Sequence, residues 1–477
     1  MHIGPQSGNA PLDAPHRAPI SAHSRSLLLI HEDSIHDFRK WIRTDIAAGC
    51  GAADRGTNST RQDFDYHAAT LSNRQMMTRR FLQLAIVLGL ITAVGPFAID
   101  MYLPALPSIG GALHATPAEV QMSLMVFFIT LGVCQLVYGP LSDIFGRKMP
   151  IYVGLAIFTI GSVGCAFAPD IHVLIGFRVL QALGACAGMV VPRAIVRDLY
   201  TGHDATRLMS LLMLVVSVSP LLAPLTGSFI IAAFGWRGVF WALTVAGGLA
   251  LVLAATQLKE TREIHHRADS TWASAFAGYR KLLSDPTFLG LTFVGAFGVS
   301  SFFIYLASAS FVIINHYGLS PTMFSLCFAL NAAAFFGFSQ LTARLTARYG
   351  LPRVIRVAVT GFAISMSIVA ALFLAGADSL ALMMVFLFVG YGFLGLVLPT
   401  SAVLSLENHG AIAGTASALM GALQFVVGAA VMAVSGLFAD GASKPMVVGI
   451  ALSALVAFVV ARLTLRDENA RLPAAAD

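Results

Sequence analysis

From Phe81 onward the chain repeats one pattern: an apolar run of about twenty residues, a short polar break, then another apolar run. A helix needs about 20 residues to cross the hydrocarbon core of a bilayer. Twelve such runs can be placed, near 81–105, 118–141, 150–168, 171–196, 206–234 and 237–257, then 287–314, 321–343, 353–376, 379–404, 411–438 and 445–464. Composition agrees. Of the 477 residues 57% are hydrophobic and only 11% charged, against about 25% charged in a soluble domain. Too little charge remains to cover a water-soluble surface, so lipid must be the solvent. The 43 glycines suit helices whose backbones approach closely within lipid. The expected fold is an all-α polytopic membrane protein.

Charge placement orients the runs. No Lys or Arg occurs between Arg80 and Arg147, across two whole runs. Basic breaks then alternate with nearly neutral ones. The basic set holds Arg79 and Arg80; Arg147 and Lys148; Arg197 and Arg207; Lys259, Arg262, Arg267, Arg280 and Lys281; Arg344, Arg348, Arg353 and Arg356; and Arg462 and Arg466. Arg237 and Lys444 are the exceptions on the other side. The positive-inside rule then expects both termini and the central segment in the cytoplasm. The net charge of +6 is topological and implies no nucleic-acid partner. The break near Glu407 is neutral, so the end of the tenth run rests on hydropathy alone. The expected organisation is a polar extension over 1–75, a six-helix half over 76–257, a polar cytoplasmic linker over 258–286, a second half over 287–465 and a tail over 466–477. Transporters built from such repeats bind substrate where the halves meet, near the bilayer midplane. The internal match is weak: Gly139 to Lys148 reads GPLSDIFGRK, and the equivalent Ala343 to Pro352 reads ARLTARYGLP.

Residues 1–75 are rich in His, Ser, Asp and Arg and have no spanning run. Arg25 to Ile42 has the pattern of a weak amphipathic helix, and the segment lacks the apolar core and cleavage site of a secretory signal. Two readings stand: a disordered cytoplasmic tail, or an extension upstream of a start at Met76 or Met77, which the string Met77-Thr-Arg-Arg-Phe81 favours. Of the five cysteines, Cys50, Cys134, Cys165, Cys186 and Cys327, none forms a CxxC pair and four lie in apolar runs, where they read as small hydrophobes. His265 and His266 sit in the charged central segment and read as solvated. No metal cluster, nucleophile motif or Walker sequence is present. A membrane enzyme, an ATP-driven pump and a cofactor are therefore not expected.

Within the spans the polar residues are few. Asp100 is the single carboxylate inside the first run, and Arg178 lies at similar depth in the fourth. An arginine inside a span costs about 2.5–3.5 kcal/mol on insertion scales, so it must face a polar cavity, meet a partner or snorkel to the outer interface. Burial favours a protonated acid and a nearby guanidinium favours the anion. A pair of this kind suits proton coupling, with Asp100 as the coupling residue and Arg178 as its electrostatic partner. The bland alternative makes Asp100 an interfacial cap ahead of Pro104. Gln121, Gln135, Tyr138, Gln181, Tyr305, Asn331 and Gln424 are candidates for a substrate cavity, with Met101, Tyr102, Phe302 and Phe303 as adaptable apolar walls. Each taken singly reads equally as core, lipid-facing surface or helix-to-helix glue. Arg193, Arg197 and Asp198 read as a charge network near a gate.

Four sets of residues carry a resemblance. Gly139-Pro-Leu-Ser-Asp143-Ile-Phe-Gly146-Arg147-Lys148 resembles the cytoplasmic loop signature of the major facilitator superfamily. In it Gly139 would permit close helix contact, Gly146 would make the turn, and Arg147 and Lys148 would hold the loop inside. The resemblance implies that Asp143 latches one conformation against the start of the eleventh helix, near Ala411 to Ser417. A purely topological loop is the alternative. Arg178-Val-Leu-Gln-Ala-Leu-Gly184-Ala-Cys-Ala-Gly188 resembles the fourth-helix motif of the same superfamily, its two glycines forming a small packing face. Pro220, Pro224 and Gly227 resemble an antiporter kink motif, with Ala223 and Ser228 where glycines are expected. The string Asp100-Met-Tyr-Leu-Pro104, with Trp236-Arg237 and Glu260-Thr261, resembles the Bcr/CflA branch of drug:proton antiporters. That resemblance, over most of 77–465, implies a monomeric exporter in a bacterial inner membrane, taking bicyclomycin, chloramphenicol-like or sulfonamide compounds against protons. Transport of an amino-acid or sugar derivative is the alternative.

Overall fold

The computed structural model describes residues 81–262, 272–407 and 409–471. The expectations for residues 1–75, the start near Met77, Cys50, and His265 and His266 lie outside the described residues. The described residues contain no strand. The helices are α1 (Phe81–Ala112, interrupted just after Asp100 by a turn and the 3-10 segment Leu103–Ala105), α2 (Pro117–Phe145), α3 (Lys148–Phe167) and α4 (Ile171–Leu199). A long element, Gly202–Gln257, follows. At about 1.5 Å per residue it would run near 80 Å, far beyond a bilayer core of about 30 Å. Its chain turns back at Gly235, where φ is 69° and ψ −179°. Glycine adopts that backbone without a Cβ clash. We treat its two arms as α5 (202–234) and α6 (236–257). Next come α7 (Trp272–Leu283), α8 (Pro286–Ser310), α9 (Pro321–Ser339), α10 (Thr342–Tyr349), α11 (Leu351–Leu374), α12 (Leu380–Glu407), α13 (Ala413–Gly436) and α14 (Ser443–Arg471). Among the described residues eleven segments are long and apolar enough to span. Counting the arms at Gly235 separately raises the eleven to twelve crossings.

Local chemistry sets the helix ends. α2 starts with a capping box: the Thr116 side chain accepts from Glu119 N, and Glu119 accepts from Thr116 N at 2.8 Å. Asp170 caps α4 by accepting from the amides of His172 and Val173 at 2.9 Å. α2 stops at Gly146, whose φ of 89° supplies the turn the loop motif anticipated. The segment expected to be only a polar linker holds α7, with Arg280 and Lys281 in its last turn. Tyr279 of α7 donates to Leu136 O on α2 at 3.1 Å, so this segment packs against the bundle.

The spans pack in two matching sets. Within the first, α3 packs on α4 and α6, and α2 on α4; within the second, α11 packs on α12 and α14, and α9 on α12. Six spans on, each pair recurs. Between the sets α2 packs on α13 and α5 on α9, again one relation seen twice. Small residues allow the closest approaches. A Cβ on Gly188 would lie 2.6 Å from Ile91 O of α1, and one on Gly184 would collide with the α3 backbone at Gly154 and Phe158. The outer faces carry Phe229, Phe234, Val245 and Leu437 in the open, an apolar surface that only lipid can solvate.

Ion pairs identify the two ends of the bundle. At one end Arg147, Asp198 and Glu260, from three different breaks, meet, and His409 meets Asp285 at 2.8 Å. At the other end Asp378 accepts from Tyr317 at 2.6 Å and from Ser443 at 2.8 Å, and lies 2.7 Å from His316. We call the first, which holds Arg147, Lys148, Arg280 and Lys281, the basic end.

Candidate functional site

The halves enclose a cavity of about 630 Å³ at the basic end. α2, α4, α5, α7 and α13 supply its walls. At the other end the crevice between Gln121, Ser308 and Met446 holds only about 10 Å³. One face of α2 runs through both. Gln121, Phe128, Gln135 and Ser142 recur every seven residues, which is two helical turns. Gln121 donates to Ser308 of α8 at 3.5 Å. One level nearer the basic end Phe128 stacks on Phe303 of α8, with centroids 3.9 Å apart, and both rings meet Phe425 of α13. This aromatic plug separates the wide end from the narrow one. Below it Gln135 and Ser142 line the cavity.

The loop motif forms a closed charge cluster on the first half. Arg147 is buried. Its Nε and Nη2 donate to the two oxygens of Asp198 at 2.7 and 3.2 Å, a bidentate pair. Its Nη1 reaches Asp143 Oδ1 and Ser142 Oγ, each at 2.7 Å. Glu260 accepts from the amides of Arg147 at 2.9 Å and Lys148 at 3.2 Å, so it caps the start of α3. Burial pushes the Glu260 carboxyl up, but hydrogen bonds from the amides of Arg147, Arg262, Lys148 and Thr261 outweigh that and hold it below the ordinary range. In the sequence Glu260 stands out only through the Glu260-Thr261 resemblance, which carries no capping role. Asp143 is 40% exposed and faces the cavity, with Gly414 and Thr415 of α13 on the opposite wall. Its ion pair is with Arg147, and among the described residues no hydrogen bond or ion pair joins it to α13. Gly139 needs correcting. A Cβ there would meet nothing within 4 Å, because the residue borders the cavity and no helix presses on it.

Arg178 is fully buried. Its Nη1 donates to Gln181 Oε1 at 2.6 Å and to Ala98 O at 3.1 Å. The guanidinium carbon lies 4.1 Å from the Phe127 ring centre and 4.5 Å from that of Tyr102. Its Nε and Nη2 are buried without a hydrogen-bond partner among the described residues. Asp100, only 5% exposed, makes no hydrogen bond or ion pair among the described residues. The pair anticipated between the two is therefore not formed in this conformation. Arg178 meets α1 at the Ala98 carbonyl, two residues short of the carboxylate.

Most other candidates lie inside one half. Tyr102 bonds to Ser123 at 2.8 Å and packs on Phe240. Gln181 donates to Ser162 at 2.7 Å. Tyr138 faces Gly154 of α3, and Gln424 faces Gly295 of α8. Asn331 donates to Tyr305 at 2.9 Å within a cluster in which Phe302 and Tyr305 pack against Phe328 and Tyr391, with Tyr305 stacked on Phe328. Met101 presents its backbone carbonyl to Gly227, where a Cβ would clash. Helical backbone continues through Pro220 and Pro224, the only departure in that element being Gly235; Ser325 of α9 donates to Pro224 O at 2.9 Å. Of the eleven candidates only Gln135 lines the cavity, Gln121 bridges the halves at the closed end, and Phe303 joins the aromatic plug. The reason is physical: in lipid a buried polar side chain takes the nearest partner, most often on an adjacent helix. Arg193 and Arg197 also depart from expectation. Asp198 belongs to the Arg147 cluster, whereas those two arginines line the cavity. The heptad on α2 was a legible signal that was not read, and Phe128 with it.

A family model described as Major Facilitator Superfamily matches residues 88–432. The MFS-type transporter YdgK of Bacillus subtilis (strain 168) is 34% identical over 75% of this chain and 89% of its own length. A bicyclomycin resistance protein homolog of Haemophilus influenzae (strain ATCC 51907 / DSM 11121 / KW20 / Rd) is 29% identical, again over 75% of this chain and 89% of its own. Among solved structures, a crystal structure of a D-xylose–proton symporter superposes with a TM-score of 0.65 at 17% identity, over 79% of this chain and 97% of that one. That likeness concerns the fold alone.

Proposed function

The chain belongs to the major facilitator superfamily, and we propose that it is a proton-coupled antiporter exporting small drug-like molecules by alternating access. The observation that carries this reading is the pairless burial of Asp100 and Arg178 in adjacent helices of a bundle that is wide at one end only. By the positive-inside rule the basic end faces the cytoplasm. Substrate loads there, below the aromatic plug of Phe128, Phe303 and Phe425. Arg178 keeps two nitrogens, Nε and Nη2, unpartnered among the described residues while Nη1 already meets α1 at Ala98 O, so a shift of α1 brings the Asp100 carboxylate onto them. A proton taken up at Asp100 from the outer side neutralises it and releases that pair. Return of the proton to the cytoplasm restores it. In the closed-inside state Asp143 moves from the cavity wall to the start of α13, whose helix dipole favours an anion. Drug-resistance relatives support small drug-like substrates, including bicyclomycin-type compounds.

The test is a drug-susceptibility panel in an efflux-deficient bacterial host. Wild type should raise resistance to several compounds. Asp100→Asn should reach the membrane in normal amount yet confer none, and should lose drug-stimulated proton movement in inverted vesicles. Undiminished resistance from that variant sinks the coupling role.

A further inference from the structure

The cavity wall carries unbalanced charge. Arg147, Arg193 and Arg197 line it against a single carboxylate, Asp143. Asp143 and Asp198 both engage Arg147. Arg193 and Arg197 stand four residues apart on α4, a spacing at which like charges face each other and repel. Neither has an ion-pair partner among the described residues. Across the cavity α13 begins with no acidic residue in its first turn and no side chain capping it. The 3-10 turn Gly410–Ile412 leads into it and its Gly410 carbonyl takes the Ala413 amide, so this end offers the positive pole of the helix dipole rather than a full set of free amides. Arg197 reaches that very end: a Cβ on Gly414 would lie 3.6 Å from its Nη1. Two positive features, one from each half, thus converge on the same space. An anion between them would satisfy both. The remaining wall is mixed, with Val190, Ala194, Met209 and Ile412 beside Gln135, Tyr279, Thr415 and Ser417. A volume of about 630 Å³ matches a drug-sized ligand.

We propose that this cavity loads amphipathic anions: molecules bearing one carboxylate or sulfonate on an apolar ring system, held by Arg193, Arg197 and the first turn of α13. The proposal rests on the export reading and names its substrate class. A lipophilic cation finds no unengaged carboxylate on this wall. The geometry also supplies a way to unload. Asp143 is the carboxylate on the wall opposite α13, so as that end closes it takes the place of the ligand's anion at the helix start.

The test uses the full chain in discs of phosphatidylcholine, with three fluorescent probes sharing one ring system: dansylglycine (anionic), dansylamide (neutral) and dansylcadaverine (cationic). Dansylglycine should bind about tenfold tighter than dansylcadaverine, the scale of one charge-assisted pair. Arg193→Gln with Arg197→Gln should abolish that preference, and Arg462→Gln, on α14 away from the cavity, should leave it intact. Arg193→Glu with Arg197→Glu should invert it, a gain that a misfolded protein would not show. Equal binding of the three probes by wild type, or a preference untouched by the double substitution, overturns the proposal. Discs containing phosphatidylglycerol separate a soluble anion from a lipid headgroup: persistence of the preference supports the proposal, and its loss assigns the arginines to lipid and overturns it. Selective binding without any drug export would reject the export reading alone. Export without charge preference would reject this one alone.

Discussion

Arg178 shows how a guanidinium is tolerated inside a span. Two aromatic faces cover it, while Gln181 and the Ala98 carbonyl take one of its nitrogens. The planar fork matters as much as the charge. A lysine at the same place keeps the charge, but a single ammonium on a flexible stem does not lie flat between the Tyr102 and Phe127 rings. Arg178→Lys should therefore insert and fold, yet lose transport by about tenfold or more, as expected when one charged hydrogen bond is lost. Drug uptake into inverted vesicles measures this, and wild-type rates in that variant would show that charge alone suffices. Sequence alone made Arg178 and Asp100 conspicuous, because ionisable groups within apolar runs are rare. It did not reveal that Arg178 meets the backbone of α1 and leaves Asp100 unpaired, since that depends on how far α1 and α4 slide past one another.

Among the elements, the joint between α3 and α6 behaves as one unit. Glu260, just beyond α6, caps α3 through the amides of Arg147 and Lys148. Its carboxyl titrates below the ordinary range. The stabilisation it gives is present above the unfolded pKa of about 4.3 and is lost as pH falls through the lower folded value. Glu260→Gln should accordingly lower the melting temperature at pH near 7, and the gap to wild type should narrow as pH drops below about 4. Thermal melts of the purified protein across that range check it, and a gap independent of pH would rule out the cap. Helix limits followed the sequence closely, because caps and glycine turns are local. The reversal at Gly235 fell in the two-residue break that hydropathy left between 234 and 237. Helix α7 fared differently, because it lies in a polar stretch whose helix is stabilised by packing on α2 and α13.

At the scale of the molecule, two sets of spans meet along α2–α13 and α5–α9. They part at the basic end and touch at the other. Alternation of that opening requires the walls to approach. In a background with Cys50, Cys134, Cys165, Cys186 and Cys327 replaced, Gly139→Cys with Thr415→Cys, both on the cavity wall, should cross-link through a short bifunctional thiol reagent and stop drug efflux, and cleavage of the linker should restore it. Full efflux by the cross-linked protein would show that the cavity lies off the transport path.

The linear chain by itself determined that this is a bundle of spanning helices, where each begins and ends, and which breaks are basic. All of these follow from hydropathy, caps and charge, which act over a few residues. It also made the family legible through the loop motif, since a turn and its charges sit within ten neighbouring positions. Which polar residue faces which space was decided by tertiary structure alone. Helix rotation and register place Gln135 and Arg193 on the cavity, and they turn Gln181, Tyr138 and Gln424 inward to partners within one half. Those rotations come from small-residue contacts between helices distant in sequence, such as Gly188 against Ile91, and no local pattern encodes them.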